Sequence, residues 1–201
     1  MSTDFNTALK NRRSYYAISK DPVISDDRIQ EIVNDAVKHT PSSFNSQSAR
    51  VLVLLGEQHD KLWNLTEEVL REVVGGSDEK FSSTAQKMAG FRAGYGTVLF
   101  FEDSSVIANL QENFALYADN FPIWSLQSSG MLQFVVWTAL EAEGLGASLQ
   151  HYNPLIDEKV RLEWNLPESW KLLAQMPFGK PTAEPGEKEF QPLEDRVKIF
   201  K

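Results

Sequence analysis

The stretch Phe134-Val-Val-Trp-Thr-Ala-Leu140 is the longest apolar run in the chain, and it decides the fold. It predicts the centre of a helix over about 126–143 that is apolar nearly all round between Met131 and Leu140, so we expect burial on every side. Glycines at positions 144 and 146 end the helix. Two explanations of such burial stay open: a partner subunit covers part of the helix, or the helix is the central core helix of a monomer.

Short apolar runs on both sides of this helix predict buried strands. Arg50–Leu55 and Thr97–Phe101 precede the helix, and Leu172–Phe178 follows it. Ala147–Tyr152, shortly after the helix, is expected to form a further strand. Helical segments separate these runs along the chain, and strands interleaved with helices predict the α/β or α+β class.

The clearest of the other helices begins after Ser25, a residue type that caps helices well, and ends before Pro41. Its apolar residues form one stripe, made of Ile29, Ile32, Val33, Ala36 and Val37. Further helices are predicted over 3–13 with Thr3 as N-cap, from about 62 to Gly75-Gly76, and over about 82–93, 106–117 and 154–162. We expect Phe121-Pro-Ile-Trp124 to break the helical pattern, and residues 1–201 to form one domain with an extended C-terminal arm from about 179.

Composition excludes several classes of function. The chain has no cysteine, which removes disulfides, thiolate metal sites and cysteine nucleophiles together. Its net charge of −8 argues against a nucleic-acid or anionic-membrane partner, since such surfaces need excess Lys and Arg. No run approaches about 18 apolar residues, and the N-terminus lacks the pattern of a signal peptide. We therefore expect a soluble, cytoplasmic protein without a membrane span.

Arg12-Arg13-Ser14 is the first motif that could carry chemistry. It lies at the predicted end of the first helix, where basic residues can simply complement the helix dipole. Two guanidinium groups and a hydroxyl also suit a phosphate monoester, which arginine can bind through two hydrogen bonds. Both interpretations stay open on this motif alone.

Two polar segments beside predicted strands could bind the edge of a heteroaromatic ring. Pro41-Ser-Ser-Phe-Asn-Ser-Gln-Ser48 consists mostly of Ser, Asn and Gln, and Leu149-Gln-His-Tyr-Asn153 lies at a predicted strand end. The first can equally be an ordinary loop, and a lone histidine such as His151 is more often a core residue than a catalyst. The histidines are scattered at 39, 59 and 151 without metal-ligand spacing, so we expect no metal site.

Signatures of other enzyme classes are missing from the sequence. It contains no GxSxG nucleophile elbow, no P-loop and no GxGxxG fingerprint. A nicotinamide would therefore have to bind without a Rossmann site. Acidic pairs such as Glu67-Glu68 lie on predicted solvated helix faces and give little support to a glycosidase.

Five motifs occur in one order along the chain. They are Arg12-Arg13-Ser14-x-Tyr16, Pro41-Ser-Ser-Phe-Asn-Ser-Gln47, Gly144-Leu-Gly-Ala-Ser-Leu-Gln-His-Tyr152, Phe178-Gly-Lys-Pro181 and Pro192-Leu-Glu-Asp-Arg196. Together they resemble the nitroreductase family, and in particular its short branch of fatty-acid-repression-mutant-like proteins. Each motif is weak by itself, whereas five in sequence are specific and span essentially the whole chain.

The resemblance implies an α+β, nitroreductase-like fold with a central mixed β-sheet flanked by helices. Two subunits of the family interlock as a homodimer, and each FMN lies at the dimer interface. The partner subunit supplies the polar loop to the isoalloxazine ring, and the segment around His151 lies beneath that ring. The residues that the resemblance assigns to FMN are Arg12, Arg13, Ser14, Tyr16, Pro41, Ser42, Ser43, Asn45, Gln47, Gln150, His151, Tyr152 and Lys188.

The reaction that the resemblance implies is ping-pong. NAD(P)H reduces FMN and leaves, and a small aromatic or quinone-like acceptor, such as a nitroaromatic, is then reduced on the same face. Because hydride transfer to a flavin needs no general base, no catalytic side chain is predicted. Phe44 and Trp124, together with Tyr152, are the predicted walls of the substrate pocket.

The chain departs from the pattern of longer family members in two basic positions. Those members have a second basic residue two positions after the lysine that corresponds to Lys188. This chain has Phe190 at that position, and Arg196 or Lys180 could take the place of the second basic residue. Lys87 and Arg92 are candidates for the basic residue that precedes the second strand. The region between about 106 and 124 is also shorter than the substrate-capping helices of larger relatives.

Two other functions compete with the enzyme. A flavin-binding regulator would hold FMN and act by interaction, in lipid-linked or redox signalling, with little turnover. A non-flavin binding protein of the α/β class would use the polar loop for some other ligand. The first would be yellow but slow to be reduced, and the second colourless even after incubation with FMN.

Overall fold

An antiparallel sheet with helices on both of its faces organises the chain. The structure is a computed structural model that describes residues 4–75 and 78–201. The strands are β1 (Ile18–Ser19), β2 (Ala49–Leu55), β3 (Gly96–Asp103), β4 (Gly146–Ala147) and β5 (Trp170–Pro181). The helices are α1 (Phe5–Asn11), α2 (Asp26–His39), α3 (Glu57–Val74), α4 (Asp78–Arg92), α5 (Ser104–Asn113), α6 (Phe121–Ala142) and α7 (Asp157–Glu163). The predicted α+β class is confirmed.

The strands are joined in the order β1-β5-β3-β2, and β4 pairs with β5 as well. Each ladder among the described residues is antiparallel, with Val98 of β3 opposite Met176 of β5. A single parallel bridge joins Ser14 to Ala147. This bridge attaches the segment after α1 to the strand after α6, so it brings two of the sequence motifs together.

The central strand β3 is buried along its whole length and divides the core in two. Because successive side chains of a strand point to opposite sides, Val98 and Phe100 face α2 and α6, which we call the first face of the sheet. Leu99 and Phe101 face α3, α4 and α7, which we call the second face. Each face therefore has its own hydrophobic core.

Helix α6 differs from its prediction in where it begins and in how it is buried. The expected break at Phe121–Trp124 is wrong, because Pro122 lies in the first turn, where its missing N–H is not needed. Burial on every side is also wrong for a single chain. Val136 is fully buried against the sheet, but Met131 and Val135 on the other side are 42% and 37% exposed.

Several shorter elements also differ from expectation. Ala147–Tyr152 is not a continuous strand: β4 covers only two residues, and Gln150 then forms an isolated bridge with Gln175. Asp4 caps α1, its carboxylate accepting from the N–H groups of Asn6 and Thr7, whereas Thr3 lies outside the described residues, as does Gly76. Strand β1 was not predicted because two residues carry no periodicity.

The last strand, β5, continues to Pro181, so the arm begins after that residue and not at about 179. From 182 to 201 the chain is almost entirely exposed, with one short 3-10 turn at Leu193–Asp195. Among the residues that the structure describes, none of the helices has the length and apolar character needed to cross a membrane.

Candidate functional site

A cavity of about 850 Å³ collects the basic residues of the first motif and of the arm, and we call it the basic cavity. It lies between the segment Arg12–Ala17, one side of α6 and the arm residues Ala183–Lys188. The segment enters the cavity because α1 ends at Asn11, and the N–H of Tyr15 then donates to the carbonyl of Ala147. The structure thus brings together Arg12, Arg13, Ser14, Tyr16 and Lys188.

Arg12 is held against an aromatic wall of this cavity. Its guanidinium carbon lies 4.3 Å from the centre of the Trp137 ring, a cation–π contact. Burial lowers the pKa of Arg12, while the nearby carboxylate of Glu141 opposes that shift. Trp137 itself has a buried Nε1–H without an acceptor in the described structure, so the wall offers an unused donor.

The cations of the basic cavity have no close carboxylate partner in the described part of the chain, although Glu184 and Glu187 also line the cavity. Among the described residues, Arg12, Arg13 and Lys188 form no ion pair within 4.0 Å, whereas Lys180 pairs with Asp21 at 3.7 Å. Excess positive charge in a partly enclosed cavity favours an anionic ligand.

A neighbouring cavity of about 620 Å³ shares Tyr16 with the basic cavity. Gln150 and Tyr152 line it together with Lys87, while His151 between them is exposed. The backbone N–H of Tyr152 donates to Oε1 of the buried Gln175 at 2.7 Å. The ring of Tyr152 packs edge-on against Trp63 and Phe91, with centroids 6.0 and 6.4 Å away, and burial raises the pKa of its phenol.

The two candidate basic residues that precede β3 have different surroundings. Lys87 is exposed and lines the neighbouring cavity. Arg92 instead forms an ion pair with Glu67 on α3. The side chain of Lys87 can therefore contact a ligand in the neighbouring cavity, whereas the side chain of Arg92 is held by its ion pair with Glu67.

The polar loop Pro41–Ser48 holds three strained residues. Phe44, Asn45 and Gln47 have φ angles of 58°, 51° and 49°, which place non-glycine residues in the left-handed region. The hydroxyl of Ser42 accepts the N–H of Gln47 at 3.0 Å and closes the loop. Such strain persists where surrounding contacts impose it, and it clusters at binding and active sites.

Within one chain this loop does not line the basic cavity. Pro41, Ser42 and Gln47 instead line a third cavity of about 840 Å³, between α2 and β2. The residues assigned to one flavin by resemblance are thus separated into two groups in the single chain. Within one chain the loop and the Arg12 segment therefore line different cavities.

The predicted walls of the substrate pocket, Phe44 and Trp124, lie side by side. Their ring centres are 6.1 Å apart and the rings are inclined by 20°. Phe44 also contacts three further rings, those of Phe114, Tyr117 and Phe121, at 5.0, 5.9 and 5.3 Å. Phe44 remains 51% exposed, so this cluster presents an aromatic surface to solvent.

Sequence reasoning missed a buried acid, Glu102, whose carboxylate lies near Ser48 at the end of the polar loop. Glu102, at the end of β3, is 5% exposed, and its Oε2 accepts the hydroxyl of Ser125 on α6 at 3.1 Å. Burial raises the pKa of Glu102, which the nearby Ser48 opposes. Arg50 donates to the carbonyl of Gln47 and to the carboxylate of Asp103. The sequence feature that could have revealed Glu102 was the acidic pair Glu102-Asp103 at the end of an apolar strand.

No group of three or more His, Asp or Glu side chains among the described residues could hold a metal ion.

The fold and this set of cavities define a class, the proteins of the nitroreductase fold. The family model described as "Nitroreductase family" matches residues 9–180, and the chain belongs to that family. The Saccharomyces cerevisiae protein HBN1 is 39% identical over 96% of this chain and 94% of its own length. The nitroreductase FRM2 of the same yeast is 33% identical over 93% of each chain. Family membership supports an oxidoreductase and confirms the resemblance.

Solved structures agree with this assignment. Nitroreductase CinD from Lactococcus lactis in complex with chloramphenicol has a TM-score of 0.90 and 48% identity, covering 98% of this chain and 100% of that chain. The same protein with 4-nitrophenol gives a TM-score of 0.89. A protein from Exiguobacterium sibiricum in complex with FMN has a TM-score of 0.74 over 100% of this chain and 99% of its own, but 15% identity shows the fold alone.

Proposed function

We propose that the protein is an FMN-dependent NAD(P)H oxidoreductase that works as a homodimer in the cytoplasm. The observation that carries the proposal is the convergence of Arg12, Arg13 and Lys188 on one cavity. None of the three forms an ion pair within 4.0 Å among the described residues, and only Glu184 and Glu187 add negative charge to the lining. A phosphate monoester matches the excess positive charge, and the cavity beside it is lined by aromatic and amide side chains that suit a flat ring.

The residues present fit FMN in its two parts. Arg12 and Lys188 would hold the phosphate, and the unpartnered Nε1–H of Trp137 is a further donor for an oxygen of the ligand. Tyr16 lines both cavities, so one elongated molecule could occupy the two. Gln150, Tyr152 and Lys87 would lie around the ring, Lys87 as a positive charge beside it.

Bound FMN would supply the electron chemistry, accepting two electrons from NAD(P)H and passing them to an aromatic or quinone-like acceptor in alternation. The role of the chain is to bind and orient these molecules. The aromatic surface of Phe44 and Trp124 would stack against a flat acceptor, and the Lactococcus lactis relative was solved with two nitroaromatic ligands. We propose nitroaromatics and quinones as acceptors on that basis.

A second copy of the chain would complete the site. The loop Pro41–Ser48 lies away from the basic cavity within one chain, and its backbone strain is of a kind that clusters at binding sites. The outer side of α6 leaves Met131 and Val135 exposed, which isolated soluble chains avoid over large patches. The arm is equally apolar at its end, where Ile199 and Phe200 are 76% and 93% exposed. These surfaces support an interlocked homodimer.

The test is an absorbance spectrum of the purified protein, followed by anaerobic addition of NADH and then NADPH. We expect flavin peaks that bleach within seconds and return when a quinone is added. Flavin peaks that barely bleach would favour the regulator over the enzyme. A colourless protein that stays colourless after incubation with FMN would overturn the proposal.

A further inference from the structure

The arm residues Ala183–Lys188 form one wall of the basic cavity, and we call them the strap. The strap begins where β5 ends, and the N–H of Thr182 donates there to the carbonyl of Ala17 at 2.9 Å. Beyond that bond the strap belongs to neither a helix nor a strand. Its position over the cavity must therefore depend on a small number of side-chain contacts.

Arg13 makes such a contact. Its Nη2 donates to the carbonyl oxygen of Gly186, in the middle of the strap, at 2.5 Å. A hydrogen bond from a charged donor is stronger than one between neutral groups. Arg12, by contrast, makes no hydrogen bond of this kind to the strap among the described residues, and its guanidinium lies over the Trp137 ring.

Lys188 lies two residues beyond the point that Arg13 holds. It lines the basic cavity, and its Nζ lies 5.2 Å from the centre of the Phe190 ring. A lysine on an exposed, irregular segment has many rotamers and backbone positions to lose when it binds a ligand. Fixing the strap at Gly186 reduces that loss, since the backbone near Lys188 is then already in place.

We infer that Arg13 is a positioning residue, which fixes the strap so that Lys188 faces the basic cavity. The direct anion ligands are then Arg12 and Lys188, and Arg13 acts on the anion through Lys188. The part of this inference that concerns the anion rests on the proposed function, whereas the fixing of the strap rests on the Arg13–Gly186 contact alone. The two parts can be tested separately.

The first experiment measures the strap in flavin-free, full-length protein. A protease that cleaves after glutamate can act at the exposed Glu187 and Glu189, and the substitutions measured by cleavage, at positions 10 and 13, leave the residues that flank those sites unchanged. Arg13→Ala should raise the cleavage rate there about tenfold, because the strap opens more often. Lys10→Ala changes an exposed basic residue of α1 and serves as the control, and it should leave the rate unchanged.

Arg13→Lys guards against a folding artefact, because it keeps one charged donor. It should cleave at a rate between those of the wild type and Arg13→Ala, with the circular dichroism of all variants alike. Equal cleavage rates for the wild type and Arg13→Ala would overturn the inference, whatever the protein does with FMN.

The second experiment is a double-mutant cycle on the affinity for FMN, with riboflavin as the phosphate-free probe. Arg13→Ala and Lys188→Ala should each weaken FMN binding about tenfold and leave riboflavin binding nearly unchanged. The double variant should be no weaker than the weaker single variant, since Arg13 acts through Lys188. A double variant about 100-fold weaker would make Arg13 an independent ligand and would overturn the positioning role. Failure of the wild type to bind FMN would overturn the proposed function and the ligand part of this inference, and the cleavage rates would still decide the fixing of the strap.

Discussion

The two faces of the sheet are completed to different degrees within one chain. On the second face, Leu62, Trp63 and Val160 are fully buried, and even the imidazole of His59 is enclosed with hydrogen-bond partners. On the first face, the outer side of α6 is apolar but exposed, and the cations beside it have no ion-pair partners in the described part of the chain. The second face is closed within one chain, whereas the first face is the one that the proposed ligand and a second chain would cover.

The largest effect should appear at two adjacent residues of α6, one packed against the sheet and one on the exposed outer side of the helix. Val136→Arg places a charge at a fully buried position and should cost more than about 4 kcal/mol, which unfolds most domains. Val135→Arg, on the exposed side, should leave the chain folded but dissociate the dimer. Circular dichroism and size-exclusion chromatography with light scattering distinguish the two. A Val135→Arg variant that remains a dimer would show that this side of α6 is not the interface.

The charge of Arg12 beside the first face should have a comparably large effect on the affinity for FMN. Arg12→Ala removes a guanidinium that is already oriented on Trp137, and hydrogen bonds from charged groups contribute about 3 kcal/mol at most. We expect FMN affinity to fall about 100-fold while the dimer persists. Titration of flavin fluorescence measures it, with Lys10→Ala as the matched control. Stoichiometric FMN in Arg12→Ala would remove the role that we assign to this residue.

The pH dependence of stability should report the second face through His59. Its Nδ1 lies 2.8 Å from the hydroxyl of Thr97, which also accepts the Nε1–H of Trp63 at 2.9 Å. Thr97 can then donate its proton only to a neutral imidazole. Burial lowers the pKa of His59 from 6.5 to about 4.

The sign follows from this lowered pKa. Between about pH 6.5 and 4 the imidazole of His59 binds a proton more readily in the unfolded chain than in the folded chain. The contribution of neutral His59 to the free energy of unfolding is therefore complete above pH 6.5 and is lost as the pH falls. The loss is about 3 kcal/mol. Glu102, Glu141 and Asp157 have raised pKa values and act in the opposite direction, so the wild type must be compared with His59→Gln. Urea midpoints at several pH values should fall more steeply for the wild type; equal slopes would contradict the account of His59.

The smallest effect concerns the aromatic surface of the first face. Phe44→Leu keeps the apolar side chain and removes a ring, and aromatic pairs contribute about 0.5–1.5 kcal/mol each. We expect kcat/KM for a nitroaromatic acceptor to fall about tenfold, with the rate of reduction by NADH nearly unchanged. Leu116→Ala, an 84% exposed neighbour of the cluster, is the control. An equal fall in both variants would mean that Phe44 does not contact the acceptor.

Periodic sequence features predicted the elements that pack on the sheet better than the exposed outer side of α6. The stripe of α2 and the apolar runs of β2, β3 and β5 were found because burial on the sheet imposes a regular pattern. Helix α6 is apolar on two sides, and the sequence pattern does not reveal that only one of them is buried against the sheet in the single chain. Its start was missed because a proline in the first helical turn looks like a breaker when the turn itself is unknown.

The binding roles of the candidate site residues stay a prediction, and the sequence did not reveal how these residues are arranged. Resemblance named Arg12, Ser14 and Lys188, and the structure places them around one cavity. It did not reveal Trp137 as the support of Arg12, because an aromatic residue in an apolar helix carries no signal of its contacts. The contact of Arg13 with Gly186 joins residues far apart in the sequence, which no local pattern encodes.

Mixed dimers test most directly the claim that two chains form one site. Arg12→Ala chains and chains with Ser43→Ala and Asn45→Ala are co-expressed with different tags, and the mixed dimer is purified. Each parent dimer should hold little FMN, whereas the mixed dimer regains one intact site and should bind about one FMN per two chains. A mixed dimer as empty as its parents would mean that both groups of residues act within one chain, which would contradict the account.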